Sequence, residues 1–207
     1  MFVFLKSLSR SAHEEEHHGE RSASTEPCTS LTVWRRSLVM SCNGFTVIDC
    51  HGDVVYRVDN YSGRPKELVL MDGSGRSILQ CDVARYYTTI ILVFMKCTCL
   101  IFVSNKEPIF YVKKCINILH GNPNVLAYVY RCRSSQKGYA YVIEGSYSHR
   151  SCRVFDETKR VVAEIKRKDA IIGGVSFGAE VFMLIVEAGF DPGFAMALVL
   201  LLDQMFS

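Results

Sequence analysis

Apolar positions along the chain fall into two regimes. Between residues 31 and 187 they come in short runs separated by turn residues at intervals of about eight to twelve positions, the pattern of successive β-strands. From Asp191 onward they merge into one unbroken run, DPGFAMALVLLLDQMF. In the first regime, residues 38–42 and 45–50 flank Asn43-Gly44, a pair suited to a type I′ turn because both central residues need positive φ. His51-Gly52-Asp53 turns the chain into a strand at 54–60, where Val54, Tyr56 and Val58 alternate with Val55, Arg57 and Asp59. Residues 67–72 and 77–81 form a second hairpin about Gly73-Ser74-Gly75. Further strands are predicted at 109–112, 116–119, 125–130, 139–144, 151–156, 160–168 and 181–187. The run TTIILVFMKCTCLIFV at 88–103 reads as a buried strand or strand pair. About twelve strands result. In RVVAEIKRK at 160–168 the alternation puts Val161, Ala163 and Ile165 on one face and Arg160, Val162, Glu164, Lys166 and Lys168 on the other, with Lys166 and Lys168 on the outer surface.

The second regime is a helix. Asp191 is a good N-cap, and Pro192 suits the first helical position because its φ is pre-set and its missing N–H would go unpaired there. From Phe194 to Leu202 every residue is apolar, so the helix has no face for water and must be enclosed by protein or by lipid. Its length of roughly 22 Å and its short uncharged run, about half of the ~20 residues a bilayer span requires, favour protein. Each strand offers one apolar face and the helix is apolar on all. A closed antiparallel barrel around the helix satisfies both, since closure removes sheet edges and its inner face supplies the enclosure. The predicted fold is therefore mainly β, an antiparallel barrel of about twelve strands enclosing a hydrophobic C-terminal helix.

With 207 residues, 49% hydrophobic and 22% charged, the chain can bury a core as one domain. Residues 1–30 are Ser-rich and, after the first few, nearly free of large apolar groups, which predicts a disordered tail ahead of a domain at 31–207. The net charge of +3 becomes +5 over residues 31–207, short of the footprint of a dedicated nucleic-acid binder, so direct nucleic-acid contact is not expected. Nine scattered cysteines without a CxxC pair give no disulfide framework and suit a reducing compartment. The opening MFVFLK has too short an apolar run for a signal peptide, so the chain is not expected to be secreted. A cytoplasmic protein follows, peripheral at the plasma membrane or nuclear, and monomeric.

Little in the chain suggests catalysis. Gly73 and Gly75 precede no helix that would hold phosphates. Asp49-Cys50-His51 sits at a strand end, where adjacent side chains face apart. Cys97-Thr98-Cys99 with Cys115 and His120, and His13, His17 and His18 beside Glu14 to Glu16, are weak metal patterns, read instead as buried thiols and a solvated tail. No enzyme, cofactor or metal is predicted. Binding is the more natural class. Arg35-Arg36, Lys113-Lys114, Lys159-Arg160 and Lys166-Arg167-Lys168 recur at strand ends and faces. Convergence of Arg35, Arg36, Lys113, Lys114, Lys166 and Lys168 on one side of the barrel would make a site for anionic lipid head groups, at about 1 kcal/mol per basic residue near an anionic membrane. A protein partner is the other expected ligand.

Several of these segments resemble the LURP-one-related family of plants. They are LTVWRRSLVMSCNGFTVIDCHGDVVYRVDNY at 31–61, ELVLMDGSGRSIL at 67–79, YVIEGSYSHRSCRVFDETKRVVAEIKRKDAIIGGVSFGAEVF at 141–182 and the closing FDPGFAMALVLLLDQMF. The resemblance implies a tubby-like fold, a twelve-stranded barrel around a hydrophobic C-terminal helix, kinship with tubby proteins and phospholipid scramblases, and an association of some members with defence against pathogens. Residues 82–106 depart from it: ARYYTTIILVFMKCTCLIFVSN stands where basic, polar strand sequence is usual. A retained intron or misplaced exon boundary would explain the departure and predicts an imperfectly closed barrel in a poorly stable product. Transcript reads matching the present sequence in abundance would sink that idea. A scramblase-like membrane protein is the remaining alternative, for which only residues 88–103 are eligible as a span, against the cost of a central Lys96.

Overall fold

A computed structural model describes residues 28–40, 42–60, 67–86, 96–102, 108–115, 124–132, 138–168 and 178–206, with backbone alone for 83–86, 96–100 and 102. Twelve strands, β1 (Thr29–Trp34), β2 (Asn43–Ile48), β3 (Val54–Asn60), β4 (Glu67–Asp72), β5 (Ser77–Tyr86), β6 (Lys96–Phe102), β7 (Pro108–Lys114), β8 (Val125–Arg131), β9 (Tyr141–Ser146), β10 (Ser151–Asp156), β11 (Val161–Arg167) and β12 (Val181–Val186), are followed by one helix, α1 (Pro192–Phe206). Each strand pairs antiparallel with its predecessor, and β12 returns to β1 with Leu31 opposite Leu184 and Val33 opposite Phe182, so the sheet closes on itself. Among the described residues no strand is left with an open edge to template aggregation.

The inward alternation builds one core. Leu31 and Val33, Val47, Leu68 and Leu70, Val112, Val129, Val154, Ala163, Ile165 and Leu184 all bury against α1, whose residues from Gly193 to Asp203 are themselves buried. The predicted N-cap forms: the Asp191 carboxylate accepts the Phe194 amide proton at 2.6 Å, and its carbonyl accepts from Ala195 at 2.9 Å. Phe194 packs on Phe110 with ring centroids 4.6 Å apart, and Phe190 and Tyr141 complete an aromatic plug over that end of the barrel. Since α1 begins beside the end of β12, it runs back through the barrel and ends at the opposite mouth.

Two expectations change. Asn43 and Gly44 are not a hairpin turn; they open β2, opposite Asn60 and Asp59 of β3, and residues 35–40, expected in part as a strand, lie outside any strand. The glycine answers a close approach instead, because a Cβ at residue 44 would lie 1.8 Å from the Val58 carbonyl oxygen. The barrel wall is also continuous through the atypical stretch, correcting the imperfect closure that a foreign segment would imply. β5 and β6 pair without interruption from Gln80 opposite Phe102 to Tyr86 opposite Lys96, and β6 pairs onward with β7. The strand expected at 116–119, the histidines of the tail and residues 88–95 lie outside the described residues; β1 itself begins at Thr29, within the stretch assigned to the tail.

Three hairpins share one turn that the sequence reading did not single out. Asp49 accepts the amide protons of His51 and Asp53; Asp72 accepts those of Ser74 and Arg76; Asp156 accepts those of Thr158 and Arg160. The fourth residue has positive φ in each, at Gly52, Gly75 and Lys159. An aspartate that satisfies two turn amides fixes the hairpin register, which explains why glycine is dispensable at Lys159.

Candidate functional site: the rim at the end of the helix

Closure of an antiparallel meander sorts every strand end onto one of two rims. The rim where α1 begins carries Asp49, Asp53, Asp72, Asp156, Glu157, Glu187 and Asp191. Among the described residues its arginines are held by local acids: Arg76 by Asp72, Arg131 by Glu157, Arg160 by Asp156. The rim where α1 ends receives the last residues of β1, β7 and β11, and with them all six predicted site residues, Arg35, Arg36, Lys113, Lys114, Lys166 and Lys168. Lys159 and Arg160 go to the other rim. The barrel is thus electrically polarised along its axis.

Convergence does not make the six equivalent. Arg35 reaches into the mouth, where its Nε lies 2.9 Å from Oδ1 of Asp203 and its Nη1 lies 3.5 Å from Glu180. Burial alone would lower its pKa, but the two carboxylates outweigh burial and raise it. Asp203 is buried in the last turn of α1, where the helix dipole disfavours an anion, so it needs donors. Arg35 is one and the Tyr147 hydroxyl, at 3.1 Å, is another. Tyr147 is buried, and desolvation first, then the Asp203 charge, push its pKa up. Lys114 donates to the Met205 carbonyl and sits 4.1 Å from the centre of the Phe206 ring, capping the C-terminus of α1 with a cation. Arg35 and Lys114 therefore hold the helix.

Lys168 corrects the sequence reading more sharply. It lies on the outer surface as predicted, crossing β12 toward β1, but it is buried rather than solvated, with Nζ donating to the Thr32 hydroxyl at 3.1 Å. Burial lowers its pKa to about 8. Periodicity gives a side chain's face; it does not show what covers that face. Lys166 is exposed beside Glu164 at 2.9 Å. Arg36 and Lys113 are exposed and, among the described residues, make no ion pair. Arg167 is exposed on the same rim.

Beside Arg36 the mouth opens into a cavity of about 1090 Å³ between the end of α1, at Asp203 and Gln204, and the wall at Phe45, Val58 and Leu68. Residues 35–40 and Cys42 form its outer lip. The lip is braced: Ser37 donates to Asp59 at 2.5 Å and accepts from the Val39 amide at 3.0 Å, Arg57 pairs with Asp59 at 2.6 Å, and Thr46 donates to the Arg36 carbonyl at 2.7 Å. Leu38 packs on Trp34, Ile48 and Val54 in a small cluster outside the barrel. The charges lining the cavity, Arg35 and Arg36 against Glu180 and Asp203, balance, so its interior is amphipathic rather than anion-seeking.

Catalytic chemistry finds little here. Burial pushes the Cys81 and Cys152 thiols up to about 12, far from a nucleophilic thiolate. Among the described residues no group of three His, Cys, Asp or Glu side chains is placed to hold a metal, and no helix is long and apolar enough to cross a membrane.

Comparison with known proteins places this geometry in a family. Residues 29–203 match the sequence profile of the LURP-one-related family. Protein LURP-one-related 17 of Arabidopsis thaliana is 44% identical, with both chains covered in full, and protein LURP-one-related 8 of the same plant is 44% identical over 85% of this chain and 86% of its own. An X-ray structure of a protein from Arabidopsis thaliana superposes with a TM-score of 0.61 over 87% of this chain and 92% of that one, at 19% identity, a likeness of fold.

Proposed function

The chain belongs to the LURP-one-related family, and from that premise we propose that it is a non-enzymatic, tubby-like binding domain that docks the rim around the end of α1 onto anionic phospholipid. The charge segregation supports this reading: exposed Arg36, Lys113, Lys166 and Arg167 share one rim, with Glu67 as an exposed acid among them, while Asp49, Asp53, Asp72, Asp156, Glu157, Glu187 and Asp191 lie on the other. An axial charge dipole orients the barrel in the field of an anionic membrane, and each exposed cation near the surface contributes about 1 kcal/mol. Attachment of this strength is reversible and salt-sensitive, which suits a cytoplasmic domain acting at the plasma membrane in a defence pathway.

A scramblase-like span at 88–103 is the less favoured reading, because Lys96–Phe102 is a strand paired along both edges within the barrel. Sedimentation with vesicles of neutral phosphatidylcholine, alone or with anionic lipid, tests the proposal. Pelleting with the anionic vesicles that weakens as salt rises is expected. No pelleting, or equal pelleting with both, would overturn the head-group reading in favour of a protein partner.

A further inference from the structure

The most exposed large apolar side chain among the described residues is Met40, at 91%, and it stands on the basic rim. Met40 is the third of three consecutive apolar residues, Leu38-Val39-Met40, in the lip beside Arg35 and Arg36. A lone exposed methionine has no special meaning. Three features set this one apart. Leu38 is anchored in the outer cluster with Trp34 and Ile48, so the triplet is tied down at its base. The lip backbone is held by Ser37 on Asp59, by Thr46 on the Arg36 carbonyl and by the Cys42 amide donating to the Val39 carbonyl at 3.3 Å. The backbone beneath the apolar tip is therefore already held, which lowers the ordering cost of binding to that of the side chains. Finally, the exposed Arg36 stands beside it at the mouth, with Lys113 on the same rim, which matches an anionic surface at the depth where an apolar tip would enter it.

We propose that residues 37–40 form a fixed apolar wedge whose Val39-Met40 tip enters the interfacial layer of an anionic bilayer while the rim cations meet the head groups. The inference rests on the rim-docking reading and adds to it a salt-independent component. Binding would then consist of a coulombic part, screened by salt, and an apolar part that is not screened.

Full-length protein with Met40→Gln, Met40→Leu or Met40→Trp separates the two. The position is solvent-exposed, so these variants leave the barrel intact. In sedimentation with vesicles containing anionic lipid, Met40→Gln is expected to reduce the partition coefficient about tenfold at every salt concentration, equivalent to about 1.4 kcal/mol, and Met40→Leu to keep it. Trp fluorescence of Met40→Trp is expected to be quenched by vesicles with brominated acyl chains beyond the quenching seen with wild type. If wild type pellets with anionic vesicles and Met40→Gln pellets equally well, the wedge is wrong and rim docking stands. If wild type pellets with neither vesicle, rim docking fails and the wedge with it.

Discussion

Arg35, the residue after β1, lies 2.9 Å from Asp203 in the last turn of α1, so the first strand is pinned to the last helix across nearly the whole length of the chain. Removing the carboxylate leaves the partly buried Arg35 guanidinium with the more distant Glu180, at 3.5 Å, and takes the acceptor from the buried Tyr147 hydroxyl. Asp203→Ala is therefore expected to lower stability by about 2–3 kcal/mol, below the range for fully buried pairs because Arg35 is partly exposed. Urea denaturation gives the value. A double-mutant cycle with Arg35→Leu should return a coupling of roughly 1 kcal/mol or more; an additive cycle would show the pair to be incidental.

Leu200 lies on α1 at the middle of the barrel and is fully buried. Leu200→Asp puts a carboxyl with no partner in that core, and its burial, charged or protonated, together with the lost leucine packing removes a large part of the roughly 5–15 kcal/mol that holds such a domain together. The expected result is loss of the cooperative thermal transition. A stable, soluble Leu200→Asp protein would mean that the helix is not enclosed.

Lys168 costs stability at neutral pH. Its pKa falls from 10.5 to about 8 on folding, so the unfolded chain binds more protons between those values. The slope of unfolding free energy with pH is then positive for this group: the penalty is full below pH 8 and fades as pH approaches 10.5. Relative to wild type, Lys168→Met is expected to gain stability as pH falls from 10 to 7, because the hydrogen bonds it loses change little with pH while the desolvation penalty it removes grows. Ionising thiols affect both proteins alike, so paired urea titrations at the two pH values isolate the effect.

Asp72 and Asp156 act in the opposite direction. Hydrogen bonds from Ser74 and Thr158 head the causes that hold their carboxyls down at about 2, against an ordinary 3.8. A depressed carboxylate contributes stability above its unfolded pKa and loses it as pH falls toward the folded one. Replacing both with Asn should flatten the loss of stability between pH 4 and pH 2, read from thermal midpoints. An unchanged acid limb would locate acid sensitivity elsewhere.

The helix was the most legible part of the chain. Asp191-Pro192 marks its start, and an apolar run too short to span a bilayer must be enclosed by protein, so fold class followed from the run and the strands around it. The strands at 54–60, 67–72 and 151–156 were readable to the residue because local alternation and turn chemistry set their limits. Asn43-Gly44 misled because two causes select the same residue: Gly44 is required by the Val58 backbone across the pair, a tertiary contact that no local pattern displays. The basic pairs were visible, but their division of labour was not. Asp203, the one acid inside an otherwise apolar helix, was the signal that a cation had to be reserved for it, and Arg35 is that cation. Lys168 gave no signal, since its burial depends on what lies over an outer face.

Docking by one rim is the central claim, and reversing charge on one rim at a time tests it most directly. Arg36→Glu with Lys113→Glu changes the rim at the end of α1, and Lys159→Glu with Arg160→Glu changes the other by the same net charge. Neither Arg36 nor Lys113 holds the fold together. In sedimentation with vesicles containing anionic lipid at low salt, the account predicts that the first pair lowers the partition coefficient at least tenfold and that the second leaves it within about twofold of wild type. Equal losses from both pairs would mean that net charge alone drives binding, and a loss confined to the second would place the docking surface on the opposite rim.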